Sequence, residues 1–471
     1  METAREVLVK PSQFMNQVLS RNGRLGCSAC EILAAAINAV DPYEIIQQTV
    51  RKSQTELRIG EDGFLLHEID RIFLIGFGKA SVPMVKALLD VLQGEVFLAE
   101  CVTKSKRFLN QTGYHGKLRV HLGGHPIPTK ASLKATRAVL GKLKGLTPKD
   151  LVLVAISGGG SALFTDPFPG ASLEDLRKMT DILLRSGADI HETNTLRKHL
   201  DRVKGGRLAQ RLNPARVHTF ILSDVVGDRL DMIASGPTVP DPTTYKDAIG
   251  IVEKYGLRYR LPESIVNILE VGERSEKNET LKEQDFHKMN VKNHLVGTNI
   301  KAARAAKLRA EALGYNSLIM TSHLVGQTQA VAEILGAVLQ TELEYGHPAE
   351  KPTCLIFGGE TTVKVHGNGK GGRNQDLILH MVKKTADHPG VLVISLATDG
   401  EDGPTDAAGA ASDAKVYRDG AAKLEMNIDT YIETNNSYNY FQDLGGLIKI
   451  GSTGTNVNDL IMILIDRENC I

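Results

Sequence analysis

DLVLVAISGGGSALF, residues 150–164, is the stretch that decides the fold. Seven residues rich in Val, Leu and Ile, with no alternation of polar side chains, read as a strand buried on both faces, and three consecutive glycines follow it. A strand of that kind belongs to a parallel sheet covered on both sides. The text on either side repeats the pattern. RIFLIG (71–76) is a short strand ending at glycine, SVPMVKALLDVL (81–92) a helix, EVFLAECV (95–102) a strand and KLRVHL (117–122) another. KASLKATRAVLGKLKG (130–145) is an amphipathic helix, SLEDLRKMTDILLRSG (172–187) a helix opened by Ser172 and Asp175 as an approximate capping box, and RVHTFILS (216–223) a strand. Regular alternation predicts a doubly wound α/β unit. Ahead of it, residues 28–50 have helical spacing.

Between 272 and 292 the chain turns charged and loses its large aliphatics, which predicts a solvated connector and a domain boundary, placed at 285/286. Beyond it a second α/β series is expected: NHLVGT (293–298), a helix over 299–313, NSLIMTS (316–322), a helix over 327–345, CLIFGG (354–359), TTVKVHG (361–367), a helix over 374–385, VLVISLA (391–397) and LIMILI (460–465). The step from CLIFGG to TTVKVHG has no room for a crossover helix. It predicts a hairpin, and hence a mixed sheet.

Bulk properties narrow the function. The 471 residues carry 56 Lys and Arg against 55 Asp and Glu, so no global field favours nucleic acid or an anionic membrane. Aromatics at 5% with no Trp argue against a base-stacking surface. Cys27, Cys30, Cys101, Cys354 and Cys470 form no disulfide framework, and Cys27 with Cys30 lacks the second pair that a zinc site needs. A reducing, cytoplasmic setting is expected. Arg5, Lys10, Arg21 and Arg24 leave a mitochondrial presequence as the second option, although Glu2 and Glu6 interrupt them. Glycine is in surplus, 45 residues against a usual ~7%, and the surplus is clustered.

The clusters locate the candidate chemistry. In IGFGKAS (75–81), Gly76 and Gly78 resemble the first two glycines of a dinucleotide fingerprint, and Glu100 ends the next strand at a spacing suited to a ribose contact, which makes a reductase the rival reading. Lys79 inside that turn suits a transferring phosphoryl or a carboxylate equally well. Gly158, Gly159, Gly160 and Ser161 leave main-chain N–H groups open to an anion, without the lysine of a Walker loop. In ETNTLRKHLDRVKGGRLAQ (192–210), Arg197 and Lys204 lie seven apart and Asn194 three before, so one helix face could clamp an anion. Asp224 ends the strand 216–223 and is the candidate general base or metal ligand. Glu360, Lys370 and Arg373, with Asn374, sit around a glycine-rich loop suited to phosphates, while Asp399, Asp402 and Asp406 follow a strand as hard-oxygen ligands. Thr455, Asn456 and Asp459 belong to a last polar turn.

Taken in order, ISGGGSAL, ETNTLRKHLDRVKGGRLA, LSDVVGDRLDMIASGPTVPDPTTY, FGGETTVKVHGNGKGGRNQDL, ATDGEDGPTDAAGA and GSTGTNVNDL resemble the class II glycerate kinases, the glycerate 2-kinase family ending in a MOFRL domain. The likeness runs from about residue 25 to 465. It implies a Rossmann-like N-terminal domain (1–285), a MOFRL-containing C-terminal domain (286–471) and an active site in the cleft between them. It also implies phosphorylation of D-glycerate on its 2-hydroxyl with ATP and Mg²⁺, by a monomer or homodimer that uses neither nucleic acid nor membrane. Lys79, Asp224 and Arg373 fall on the family's catalytic positions. Gly158, Gly159, Gly160, Ser161, Asn194, Arg197 and Lys204 are then expected to hold glycerate. Gly76, Gly78, Glu360, Lys370, Asn374, Thr455 and Asn456 are expected on the nucleotide, and Asp399 and Asp402 on the metal. Related sequences carry the label hydroxypyruvate reductase, so NAD(P)H-dependent reduction is the alternative chemistry, and an anion-binding regulator without turnover a third. The chain departs from the family at Thr129, where an Asp is usual, at Gln327 and Asp376, where Glu is usual, and at Ser452, where Pro is usual.

Overall fold

The computed structural model describes residues 8–275 and 278–467. Glu2, Arg5, Glu6 and Cys470 lie outside the described residues. The chain divides into two compact units, one of residues 42–296 and one made of residues 1–41 together with 297–471.

The 42–296 unit holds a small antiparallel sheet of Val50–Lys52, Glu56–Ile59 and Asp62–Leu65, and a six-stranded sheet in the order Leu118–Leu122, Val96–Thr103, Ile72–Phe77, Leu151–Ile156, Arg216–Leu222 and Val291–Gly297. The first five pair in parallel throughout. Numbered along the chain this is 3-2-1-4-5-6, the order of a doubly wound sheet whose direction of winding reverses between Ile72–Phe77 and Leu151–Ile156. Every residue of those two strands is buried, as their unbroken apolar text requires. Helices Ser81–Leu92 and Lys130–Lys142 return the chain between strands. Thr129, the departure from the family pattern, caps the second of them with Ser132. The helices Leu173–Arg185, Ile190–His199, Tyr245–Lys254 and Glu263–Glu273 form a cluster with its own core around Met179, Leu183, Leu196 and Tyr245.

The unit of 1–41 and 297–471 holds a mixed sheet in the order Asn316–Gln327, Thr353–Thr362, Asp459–Ile465, Val391–Ala397, Gly409–Asp413 and Leu447–Ile448. Its first pair is parallel and the others are antiparallel. The fully buried strand Asp459–Ile465 lies at its centre, between Thr353–Thr362 and Val391–Ala397. Helix Gly23–Asn38 packs in the same unit, and Arg21 beside it binds Asp413 through Nε at 2.7 Å and through Nη2.

Four expectations need correction. The helix expected over 28–50 is two helices, Gly23–Asn38 and Pro42–Thr49, because the proline ring has no N–H to donate and blocks continuation from the preceding turn. The hairpin at 354–367 is one strand, Thr353–Thr362. Its glycine pair gives room for close neighbours: a Cβ on Gly358 would stand 1.6 Å from the Asn299 amide oxygen, and one on Gly359 2.0 Å from the Leu324 carbonyl. The division of the chain lies at 296/297, because residues 291–297 add an edge strand to the first sheet, with Val217 N–H donating to the Asn290 carbonyl at 2.8 Å. The charged connector is partly built in: Thr280 and Leu281 are buried, and Glu279 accepts from His199 Nε2 at 2.9 Å and Tyr245 N–H at 3.0 Å.

Candidate active site

In the 42–296 unit, the two glycine turns predicted from sequence follow neighbouring strands at the reversal point of the sheet, where doubly wound folds take their ligands. They are stitched together. Lys79 N–H donates to the Gly158 carbonyl at 2.9 Å, Ala80 N–H donates to Ser157 Oγ at 2.9 Å, and Ser81 Oγ donates to the Gly78 carbonyl at 3.0 Å. A Cβ on Gly78 would meet Ser157 Oγ at 2.3 Å, so only glycine lets the loops approach this closely. Gly159 has φ +80°, which favours glycine, and starts the short helix Gly160–Leu163. Asp224, ending the strand Arg216–Leu222, lies against Gly158: a Cβ there would stand 2.1 Å from Asp224 Oδ2. Lys79, the triple glycine and Asp224 are therefore brought to one place.

Ser161 and Asn194 join them through Ser235. The Ser161 and Ser235 hydroxyls lie 2.7 Å apart, and Ser235 Oγ donates to Asn194 Oδ1 at 3.4 Å. Arg197 Nη1 also donates to that oxygen at 3.4 Å, and among the described residues no carboxylate forms an ion pair with Arg197. Burial alone pulls its pKa down. A half-buried guanidinium with no paired carboxylate is poised for an anion. It faces a cavity of about 390 Å³ bounded by Gly159, Ser161, Lys204 and His125. His125 is not among the residues expected at the site, although it lies in the GHP stretch that precedes Thr129. Its ring packs so closely on Gly159 that a Cβ there would stand 2.7 Å from Cδ2. Burial, then the charges of Lys79 and Lys104, bring the His125 pKa down to about 4, so it is a neutral imidazole at pH 7.

The helical-face argument for Lys204 does not hold. The helix ends at His199, and Lys204 lies in the following turn, where its Nζ donates to Asp201 Oδ2 at 2.9 Å and the Phe164 carbonyl at 3.1 Å. It borders the same cavity, but as half of a buried ion pair. Neighbouring cations are likewise engaged: Lys198 with Asp241 at 2.6 Å, and Arg202 with Asp166 at 2.7 Å. Glu100 does not reach a ribose. Wholly buried, it takes His121 Nε2 at 2.5 Å and the Lys142 ammonium, and against the cost of burial these partners hold its carboxyl below the usual range.

In the unit of 1–41 and 297–471, the loop ending at Gly372 opens helix Arg373–Thr385. Arg373 forks onto Asp459, Nε to Oδ2 at 2.6 Å and Nη2 to Oδ1 at 2.9 Å, and places Nη1 2.8 Å from Glu360 Oε1. Asn458 Nδ2 donates to Glu360 Oε2 at 2.8 Å. Burial pushes the Asp459 carboxyl up to about 6 against the pull of Arg373. Asp402 caps the helix: Oδ1 accepts from Asn374 N–H at 3.1 Å and Asn374 Nδ2 at 3.2 Å, and Oδ2 from Gln375 N–H at 3.0 Å and Gln375 Nε2 at 2.9 Å. Burial outweighs these donors and raises its pKa to about 6. A carboxylate so engaged and 1% exposed does not fit a metal ligand. Asp399 Oδ1 accepts the Glu401 N–H at 3.1 Å. Among the described residues no group of three or more His, Cys, Asp or Glu side chains could hold a metal ion.

Other expected nucleotide contacts have structural work in this unit. Lys370 Nζ sits 3.7 Å from the centre of the Tyr438 ring, Thr455 Oγ1 donates to the Val40 carbonyl at 2.7 Å, and Asn374 Oδ1 accepts from Ser395 Oγ at 2.5 Å. Asn456 Oδ1 accepts the Asn458 N–H at 3.2 Å, closing a turn. No single helix among the described residues is long and apolar enough to cross a membrane.

A 3-2-1-4-5-6 sheet with a glycine turn, a lysine and a carboxylate at its reversal point defines a doubly wound α/β protein. Residues 28–270 match the family model described as Domain of unknown function (DUF4147), and residues 353–459 match the MOFRL family. The chain belongs to the glycerate 2-kinase family. It is 40% identical over 441 residues to the glycerate 2-kinase of Pyrococcus horikoshii, covering 93% of this chain and 96% of that one. It is 40% identical over 437 residues to the D-glycerate 2-kinase of Thermotoga maritima, covering 93% and 97%. The crystal structure of a glycerate kinase from Thermotoga maritima superposes with a TM-score of 0.81 at 39% identity, covering 93% of this chain and 98% of that one.

Proposed function

We propose that this chain transfers the γ-phosphoryl of magnesium-bound ATP to the 2-hydroxyl of D-glycerate, giving 2-phospho-D-glycerate and ADP. The carrying observation is Arg197, half-buried with no carboxylate paired to it among the described residues, beside the glycine nest, in a family whose named members include glycerate 2-kinases. Arg197 and the N–H groups of residues 158 and 159 receive the glycerate carboxylate, with Ser161 and Asn194 orienting it, while the Gly160 N–H is spent on the Ser157 carbonyl at 3.2 Å. Asp224 accepts the proton of the 2-hydroxyl as O2 forms its bond to phosphorus and the bond from phosphorus to the ADP oxygen breaks. Lys79 balances charge on the transferring group.

Arg373 has the same task for the triphosphate. Three of its bonds go to Asp459 and Glu360, which fix the plane of the guanidinium and leave donors for phosphoryl oxygens. Magnesium enters with the nucleotide as part of the substrate. Glu100, the residue that motivated the reductase, is occupied by His121 and Lys142.

The test couples the reaction directly to enolase, which consumes 2-phosphoglycerate and leaves 3-phosphoglycerate untouched. Enolase-dependent signal requiring D-glycerate, ATP and Mg²⁺ is the expected result. Hydroxypyruvate-dependent loss of NADH absorbance with no ATP turnover would overturn the reading in favour of the reductase.

A further inference from the structure

The cavity beside Arg197 is larger than a three-carbon acid requires. Its volume of about 390 Å³ falls in the range of pockets that enclose drug-sized ligands, roughly 300–1,000 Å³. Its lining is also divided in character. Arg197, Ser161 and His125 occupy one side, while Ile127, Leu176 and Leu184 form an apolar wall.

The polar groups on that wall are already satisfied. Arg177 donates to the Pro128 carbonyl through Nε at 3.0 Å and Nη2 at 2.7 Å, which ties the Pro126–Pro128 loop to helix Leu173–Arg185. Asp181 pairs with Arg185 at 2.9 Å, and Thr180 Oγ1 donates to the Leu176 carbonyl at 2.9 Å. At the floor, Thr165 Oγ1 donates to Asp201 at 2.5 Å, and Lys204 holds the same carboxylate. What the cavity offers a ligand is thus one uncompensated cation with a few hydrogen-bonding groups at one end, and hydrocarbon along the other. Ile127 and Leu184 remain 55% and 63% exposed, large apolar side chains that a bound tail would cover.

We propose that the acceptor pocket also takes 2-hydroxy acids bearing a branched or aromatic apolar substituent at C3, seating the carboxylate at Arg197 and the substituent on Ile127, Leu176 and Leu184. The proposal rests on the kinase reading and deepens it by naming the acceptor class. The chemistry is the same step: the O2–P bond forms, the bond from γ-phosphorus to the ADP oxygen breaks, and the hydroxyl proton passes to Asp224. A small hydrophobic increment in such a pocket is worth about 10-fold or more in discrimination.

The experiment measures ADP release from ATP by the full chain with D-glycerate, D-lactate, D-2-hydroxyisocaproate and D-3-phenyllactate, with phosphorylated products confirmed by mass spectrometry. The expected result is turnover of the two bulky acids with KM about 10-fold or more below that of D-lactate. In Leu184→Asp and Ile127→Ser, both at exposed positions where the fold tolerates change, the kcat/KM ratio of D-2-hydroxyisocaproate to D-glycerate should fall about 10-fold. Turnover of D-glycerate without phosphorylation of the bulky acids overturns this inference, including the case where they inhibit competitively. An unchanged ratio in both variants also overturns it. No turnover of any acid, D-glycerate included, would remove the kinase reading itself.

Discussion

Arg197 and Arg373 show two ways of holding a guanidinium ready for an anion, and they respond differently to removal. Arg197 is half-buried with a single long hydrogen bond to Asn194 and no paired carboxylate, so Arg197→Ala relieves a partly desolvated charge while deleting the anion's partner. We expect a rise in KM for D-glycerate of ~10-fold or more with little loss of thermal stability, measured by initial rates and a melting curve on the same preparation. Arg373→Ala should instead destabilise the protein by about 3–5 kcal/mol, because Asp459, 2% exposed, loses both bonds of a fork and stays buried. Urea titration checks this, and Arg373→Lys separates the effects, since an ammonium retains the charge but not the planar fork. Lys79→Ala should lower kcat by ~10²-fold, read from single-turnover phosphoryl transfer.

Helix Arg373–Thr385 begins on the carboxylate of Asp402, which lies outside the helix in sequence but gathers its first N–H groups. Asp402→Ala should therefore cost about 0.5–2 kcal/mol of stability as a lost cap, equally in magnesium-free buffer and with excess magnesium. A loss confined to magnesium-containing buffer would mark it as a ligand instead. The same element shows where sequence reading succeeds and stops. Its start after GKGG and its apolar periodicity are local signals, as are the strand and turn of residues 150–164, and both are found in the structure. The fork between Arg373 and Asp459 spans 86 residues and depends on a strand pairing that no local pattern encodes. Strand Gly409–Asp413 escapes notice for another reason: small residues have weak strand preference, and burial in the sheet supplies what propensity lacks. The supposed common face of Arg197 and Lys204 assumed that the helix continues past His199. It does not, and Gly205 and Gly206 turn back with positive φ.

At the scale of the molecule, acid sensitivity follows from buried neutral histidines. His218 Nδ1 lies 2.9 Å from His294 Nε2, with Asp62, Lys292 and Arg216 the charged groups nearby, and burial followed by His294 brings His218 down to about 4. His125 is lowered to about 4 by burial and two lysines. An imidazole near 6.5 when unfolded and near 4 when folded binds its proton first in the unfolded chain, so its contribution is complete above pH 6.5 and lost as pH falls toward 4. We expect the urea midpoint to drop across that interval, and the double variant His218→Phe, His294→Phe to flatten part of the slope. The overall class was legible because both units announce themselves by strand and helix alternation. That residues 1–41 belong with 297–471 was not, since the only local sign of the division is Pro42 interrupting an apolar run.

That discontinuity has a consequence for biosynthesis. Helix Gly23–Asn38 leaves the ribosome with an apolar face, and the strands that make up its unit begin only after residue 297. At about 5–20 residues per second, its partners emerge roughly 10–50 s later. The nascent segment waits through that interval while the intervening 42–296 body is completed, and Asp459–Ile465, the middle strand of its own sheet, is translated after every other strand of that sheet. Newly made chains should therefore be a client for holding chaperones early in translation, and truncation before residue 459 should leave the 297–471 part without a core while sparing the inserted body.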